Sequence, residues 1–206
     1  MAIPDKAGAR TGLTEAKKVQ WNREVLVEVL KEQADQSPAG SEAKKAIKDL
    51  IHDNTFTVCT AHQSCLFFGP RYLYFKALSV IKAARLLSSK ENPVYPVFWM
   101  GSEDHDFEEI NHIHWEGRKV QWDQKQGNAV GRMSTQGLHQ AIEEVMSIAA
   151  ESLSKEELLK LKSQLDLWKN KKDITYATLW QTALYLLFQD LLRFETGRFQ
   201  QPAHQK

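Results

Sequence analysis

The sequence predicts an α/β fold centred on one strand–helix–strand unit. Residues 55–60 (Thr-Phe-Thr-Val-Cys-Thr) and 94–100 (Val-Tyr-Pro-Val-Phe-Trp-Met) are short, apolar or β-branched runs of strand length. Between them, residues 71–88 place Leu73, Ala77, Val80, Ile81, Ala84 and Leu87 on one stripe at helical spacing. Strand, helix and strand within about 45 residues make a βαβ unit, whose crossover is right-handed.

The elements divide the chain into three expected segments: helical 1–53, a core with a hairpin 54–135, and helical 136–206 ending in an irregular tail. In the first, Val19, Val25, Val29 and Leu30 recur at helical spacing. Ser37, Pro38 and Gly40 break that pattern, and Ser41 is placed to cap a second helix. In the core, the run at 55–60 reads as a buried strand with Cys59 packed inside it. The run at 94–100 reads as a strand covered on both faces. Beyond it, 111–115 and 119–122 flank Glu116-Gly117-Arg118, a hairpin with Gly117 in its turn. The third segment opens with a loop at Gly127, Gly131 and Ser134 and an amphipathic helix at 136–150. Ser154 and Glu157 then form a capping box, and a last helix covers 175–192.

Composition narrows the function. The 206 residues are 42% hydrophobic and 26% charged, ordinary for a soluble domain. With 27 basic and 26 acidic residues the formal charge is +1, without the basic excess of a generic nucleic-acid binder. No apolar run reaches the roughly 18 residues that span a bilayer, and the first residues lack the apolar core of a signal peptide. Cys59 and Cys65 are too few for a disulfide framework or a four-ligand zinc site. A cytoplasmic protein with neither nucleic-acid nor membrane partners is expected.

Ligands of open parallel sheets bind beyond the carboxyl ends of the strands, and both strands lead into polar loops. The first loop carries Thr60-Ala61-His62-Gln63 and then Gly69-Pro70-Arg71-Tyr72, with Lys76 one turn further. The start of the following helix suits an anion, a phosphate or a carboxylate. The second loop is Gly101-Ser102-Glu103-Asp104-His105-Asp106. Crowded carboxylates raise one another's pKa, and an imidazole transfers protons near neutral pH, so this loop could hold an ammonium group and deprotonate an amine. The bland alternative is a cap: Asp104 or Asp106 could simply start a helix at 107–110. His112 and His114 share a strand face, but their spacing fits no tight metal motif, and no metal is expected. Cys65 lies in the first loop as an incidental thiol. Phe67, Phe68, Tyr72, Tyr74 and Phe75 read as core and pocket wall.

The stretch from Pro96 to His112, PVFWMGSEDHDFEEINH, resembles the signature of the cysteine-adding enzymes of bacillithiol biosynthesis, the cysteine ligases. Thr60–Gln63, Gly69–Tyr72 and Gly131-Arg132-Met133 resemble further motifs of that family, and the likeness runs from about Arg23 to Leu191. It implies an incomplete Rossmann-like core and formation of an amide between cysteine and glucosaminyl malate. By motif matching it assigns His62, Gln63, Gly69, Pro70, Tyr72, Glu103, Asp104, His105 and Asp106 to the site. On that reading Arg71 and Lys76 hold carboxylates or a phosphate, Glu103 or Asp106 holds the amine, and His105 moves the proton. Carboxylate activation makes ATP a natural cosubstrate, although no Walker-type loop is present.

Ala61 stands where the family has glycine, and Arg71 where it has an apolar residue. Family members are more than twice as long and carry a dimerising coiled coil, so the resemblance implies a fragment. Two other function classes compete: a nucleotidyl-transfer enzyme of related architecture, and a non-catalytic helical interaction module.

Overall fold

A computed structural model describes residues 6–35, 40–124, 127–169, 174–188 and 192–195. The elements are α1 (Lys6–Ala16), α2 (Arg23–Asp35), α3 (Ser41–Asp49), β1 (Phe56–Gln63), α4 (Tyr72–Leu87), β2 (Val94–Gly101), α5 (Phe107–Ile110), β3 (His112–Trp115), β4 (Arg118–Gln121), α6 (Leu138–Ala149), α7 (Lys155–Leu165), α8 (Tyr176–Leu187) and β5 (Leu192–Glu195). The described residues up to His62, with Tyr74–Met100 and Leu184–Glu195, form one compact unit. Gln63–Leu73 and Gly101–Ala183 form a second.

The first unit is the Rossmann-like core. Its sheet has the order β1-β2-β5. The Phe56 amide donates to the Pro93 carbonyl (2.9 Å), so the starts of β1 and β2 lie together, as parallel strands require. β5 runs parallel to β2, with Val97 opposite Leu192 and Met100 opposite Glu195. Alternation sends successive β2 side chains to opposite faces. Tyr95 and Val97 pack on the apolar faces of α2 and α3, around Val27, Leu30, Ala46, Ile47 and Leu50. Val94 packs with Ala84 of α4 and with Phe56 and Val58 of β1. Helices therefore cover β2 from both sides. Arg23 ties the start of α2 to the turn before β1: Nη1 donates to the carbonyls of Leu50 (2.9 Å) and Thr55 (3.2 Å), and Nε pairs with Asp53 (3.3 Å).

The second unit is built on aromatic packing. Trp122, Tyr176 and Trp180 are fully buried. Phe107 meets Trp122, Trp122 meets Tyr176, and Phe68 meets both Trp168 and Trp180, with ring centroids 4.9–5.1 Å apart. The β3–β4 hairpin turns at Glu116 (φ 48°) and Gly117 (φ 78°), and both left-handed residues suit its tight reversal. The capping box at Ser154 and Glu157 is formed.

Several expectations need correction. The helix expected over 175–192 stops at Leu187, and Leu192–Glu195 is a third strand. Four residues of alternating apolar and polar character cannot be told from a helix end by periodicity. Ser41 does not cap α3: Gly40 occupies that position, and no side chain caps it. The strand at 55–60 is not buried throughout. β1 lies at one end of the described sheet, with only Phe56 buried within it, and Cys59 is exposed. Tyr72, Tyr74 and Phe75 are exposed rather than core. The tail from Thr196 lies outside the described residues.

Candidate functional site

Gln63 is the residue that joins the two polar loops. Its side-chain amide donates to Asp104 Oδ2 (2.5 Å) and to Glu109 Oε2 (2.7 Å), so one nitrogen lies between two carboxylates. All three residues belong to the second unit. Glu109 was not singled out from sequence. It lies on the first turn of α5, where an acidic residue is ordinary and gives no signal; Asp106 caps that helix by accepting the Glu109 amide (3.3 Å). The capping role expected for Asp106 is therefore present, and that oxygen is committed to the helix.

The second loop is folded on itself. Asp104 Oδ1 accepts the Asp106 amide (3.0 Å), and its carbonyl accepts the Val130 amide (2.7 Å). The Ser102 carbonyl accepts the Gly131 amide (2.9 Å). Glu103 is half-buried, and His105 and Asp106 are exposed. The hydroxyls of Ser64 and Ser102 are buried and find no hydrogen-bond partner among the described residues.

Electrostatics reverse one expectation. Crowding does not raise Asp104; the Gln63 amide, then the Asp106 amide, hold its carboxyl below the usual carboxylate range. Because the folded pKa lies below the unfolded one, Asp104 adds stability above about pH 4 that is lost as acid protonates the folded carboxyl. Thermal unfolding at pH 7 and at pH 3 should therefore differ less in Asp104→Asn than in the parent chain. Equal pH dependence in the two would contradict this electrostatic assignment.

The first loop is strained. Phe67 (φ 46°), Phe68 (φ 63°) and Gly69 (φ 33°) are consecutive left-handed residues. Each non-glycine residue there costs on the order of 1–3 kcal/mol. The turn is held by its surroundings, because Trp180 Nε1 donates to the Cys65 carbonyl (2.8 Å) and Trp168 stands edge-on to Phe67 and Phe68. A Cβ at Gly69 would lie 2.5 Å from the Cβ of Cys65, so glycine is required there.

Of the residues expected at the site, Gln63, Gly69, Pro70, Arg71, Tyr72, Glu103, Asp104, His105 and Asp106 lie in the second unit. His62 and Lys76 lie in the first, where the Lys76 ammonium donates to the Ala61 carbonyl (2.9 Å). His112 and His114 stand with ring centroids 5.5 Å apart, and no group of three metal-ligating side chains exists among the described residues.

The environment expected for Cys59 is corrected, and Cys65 is an inert thiol, as an incidental one would be. Cys65 is buried, and burial, then the Glu109 charge, push its thiol up to about 11; Cys59 is exposed. Iodoacetamide at pH 8 should label Cys59 at least about tenfold faster than Cys65, with both reacting alike after denaturation. Peptide mass mapping reads the difference, and equal rates in the native protein would contradict it.

Comparison with known proteins agrees with the motifs. The family model described as "Bacillithiol biosynthesis BshC, N-terminal Rossmann-like domain" matches residues 3–191. A Cytophaga hutchinsonii protein named "Putative cysteine ligase BshC" is 43% identical over 149 residues, covering 71% of this chain and 28% of the relative. A Flavobacterium johnsoniae protein of the same name is 44% identical over 120 residues, covering 57% of this chain and 22% of the relative. The chain thus spans about a quarter of the length of these relatives. Among the described residues no helix is long and apolar enough to cross a membrane. With the βαβ core, the Gln63–Asp104 junction and a family match over nearly its whole length, the chain belongs to the BshC family of bacillithiol biosynthesis, in the part that forms the N-terminal Rossmann-like domain.

Proposed function

We propose that the chain supplies the N-terminal portion of a cysteine ligase that joins cysteine to glucosaminyl malate through an amide. The observation that carries the reading is Gln63, whose amide nitrogen is shared by Asp104 and Glu109. A protonated amine in that position would be held by both carboxylates, as a stronger donor than a neutral amide. Asp104, kept ionised, serves as acceptor and not as acid. The amine is therefore assigned to Asp104 and Glu109 rather than to Glu103 or to Asp106, which caps α5. Proton transfer is assigned to His105 of the same loop, because an imidazole can both donate and accept a proton. Gly69, Pro70 and Tyr72 shape the opposing loop, and Arg71 offers charge to a substrate carboxylate or phosphate. ATP is the proposed activator of the carboxylate, because an amide does not form from a free carboxylate without one. In this reading the protein works in the cytoplasm.

The test is a chimera of the Cytophaga hutchinsonii relative in which this chain replaces the matched stretch. It is incubated with glucosaminyl malate, cysteine and ATP, and bacillithiol is measured by mass spectrometry. Product is expected, and Asp104→Asn should lower its rate about tenfold to a hundredfold, the worth of a charge-assisted hydrogen bond. A folded chimera that makes no product while the parent relative does would overturn the reading. ATP–pyrophosphate exchange without amide product would favour nucleotidyl transfer instead.

A further inference from the structure

Helix α4 buries one face, at Leu73, Ala77, Val80, Ile81 and Ala84, yet large apolar residues also stand on its outward face. Phe75 is 67% exposed, Leu78 53% and Leu86 50%. These three, with Lys82, follow one another along the side of the helix opposite the buried stripe. Leu186 and Leu187, at the end of α8 in the same unit, are exposed as well, and the ring of the adjoining Phe188 lies 6.1 Å from that of Tyr74 on α4. Large apolar residues exposed along one helix face, interrupted only by a lysine, mark a contact surface. The helix is also one-signed, with Lys76, Lys82 and Arg85 and no acidic residue.

Two observations say what covers it. The matched family model is that of an N-terminal domain, and the chain spans 28% and 22% of two relatives, so most of a relative's polypeptide lies beyond the stretch seen here. The positive charge among the apolar residues selects a surface with carboxylates. We propose that the outward face of α4 is the docking surface for the polypeptide that follows the N-terminal domain in this family, through an apolar patch with acidic residues at its rim. The inference rests on the reading of this chain as that N-terminal portion.

Hydroxyl-radical footprinting of the isolated chain and of the chimera described above tests it without substitution. Phe75 and Leu78 should be oxidised readily in the isolated chain and at least about fivefold more slowly in the chimera, as removal from solvent requires. The double variant F75K/L78K should leave the melting temperature of the isolated chain within about 2 °C, as surface changes do, and lower that of the chimera. Equal oxidation in both proteins overturns the proposal. So does slow oxidation in an isolated chain that sediments as a dimer, which would make a second copy the occupant. Bacillithiol measured in the same chimera separates the two readings. Protection without product leaves the docking surface standing and removes the ligase reading; product without protection does the reverse.

Discussion

Replacing Gly131 by alanine should destabilise the chain by about 2–3 kcal/mol, the cost of overpacking a site that cannot yield. The reason is space and not backbone conformation. A Cβ at this position would lie 2.6 Å from the Cβ of Ser102, 2.7 Å from its carbonyl oxygen and 3.1 Å from the Cβ of Ala177. The nearest neighbours are backbone and short side chains, which have no free end to move aside. The Gly131 amide also donates to that same Ser102 carbonyl, so a shift to relieve the clash breaks a hydrogen bond. For a chain of 206 residues this corresponds to a fall in melting temperature of roughly 4–12 °C. Calorimetry reads it, and a melting temperature unchanged in Gly131→Ala would show that the loop after β2 is not packed as described. Since that loop carries Glu103–Asp106, the same variant should weaken amine binding.

Trp180 carries the second large effect. Truncation to alanine should cost about 3–5 kcal/mol, because the indole is fully buried and a cavity would replace it. Trp180→Phe is the more informative change. It keeps a ring against Phe68 but removes the Nε1 donor, leaving the buried Cys65 carbonyl without that hydrogen bond, at about 1–3 kcal/mol. The strain at Phe67 and Phe68 persists only while the surroundings impose it. Hydrogen exchange at residues 65–69 should therefore accelerate in Trp180→Phe more than exchange in α6. Uniform acceleration across the unit would assign Trp180 to general packing and not to holding the turn.

What could be read from residues alone follows from how local each signal is. The βαβ unit, the hairpin at Gly117, the cap at Asp106 and the Ser154–Glu157 box depend on neighbours a few residues apart, and all are present. Cys59 is exposed although its run predicts a buried strand, because burial depends on strand order. β1 ends the described sheet, so its β-branched run is only partly covered, while Cys65 lies beneath Trp180, 115 residues away in sequence. The two loops that follow β1 and β2 were legible. The second partner of Gln63 was not, because Glu109 looks like an ordinary acidic residue of a first helical turn. Gly131 matched a family motif, but its reason, contact with Ser102, is a long-range one.

The proposed function requires Gln63, Asp104 and Glu109 to form one substrate site. The most direct measurement is the side-chain amide signal of Gln63 in a 15N-labelled chain, titrated with cysteine and with glucosaminyl malate. A saturable shift with one of the two, abolished in Asp104→Asn, is the expected result. A signal that stays fixed with both ligands, while the chain remains folded, would contradict it.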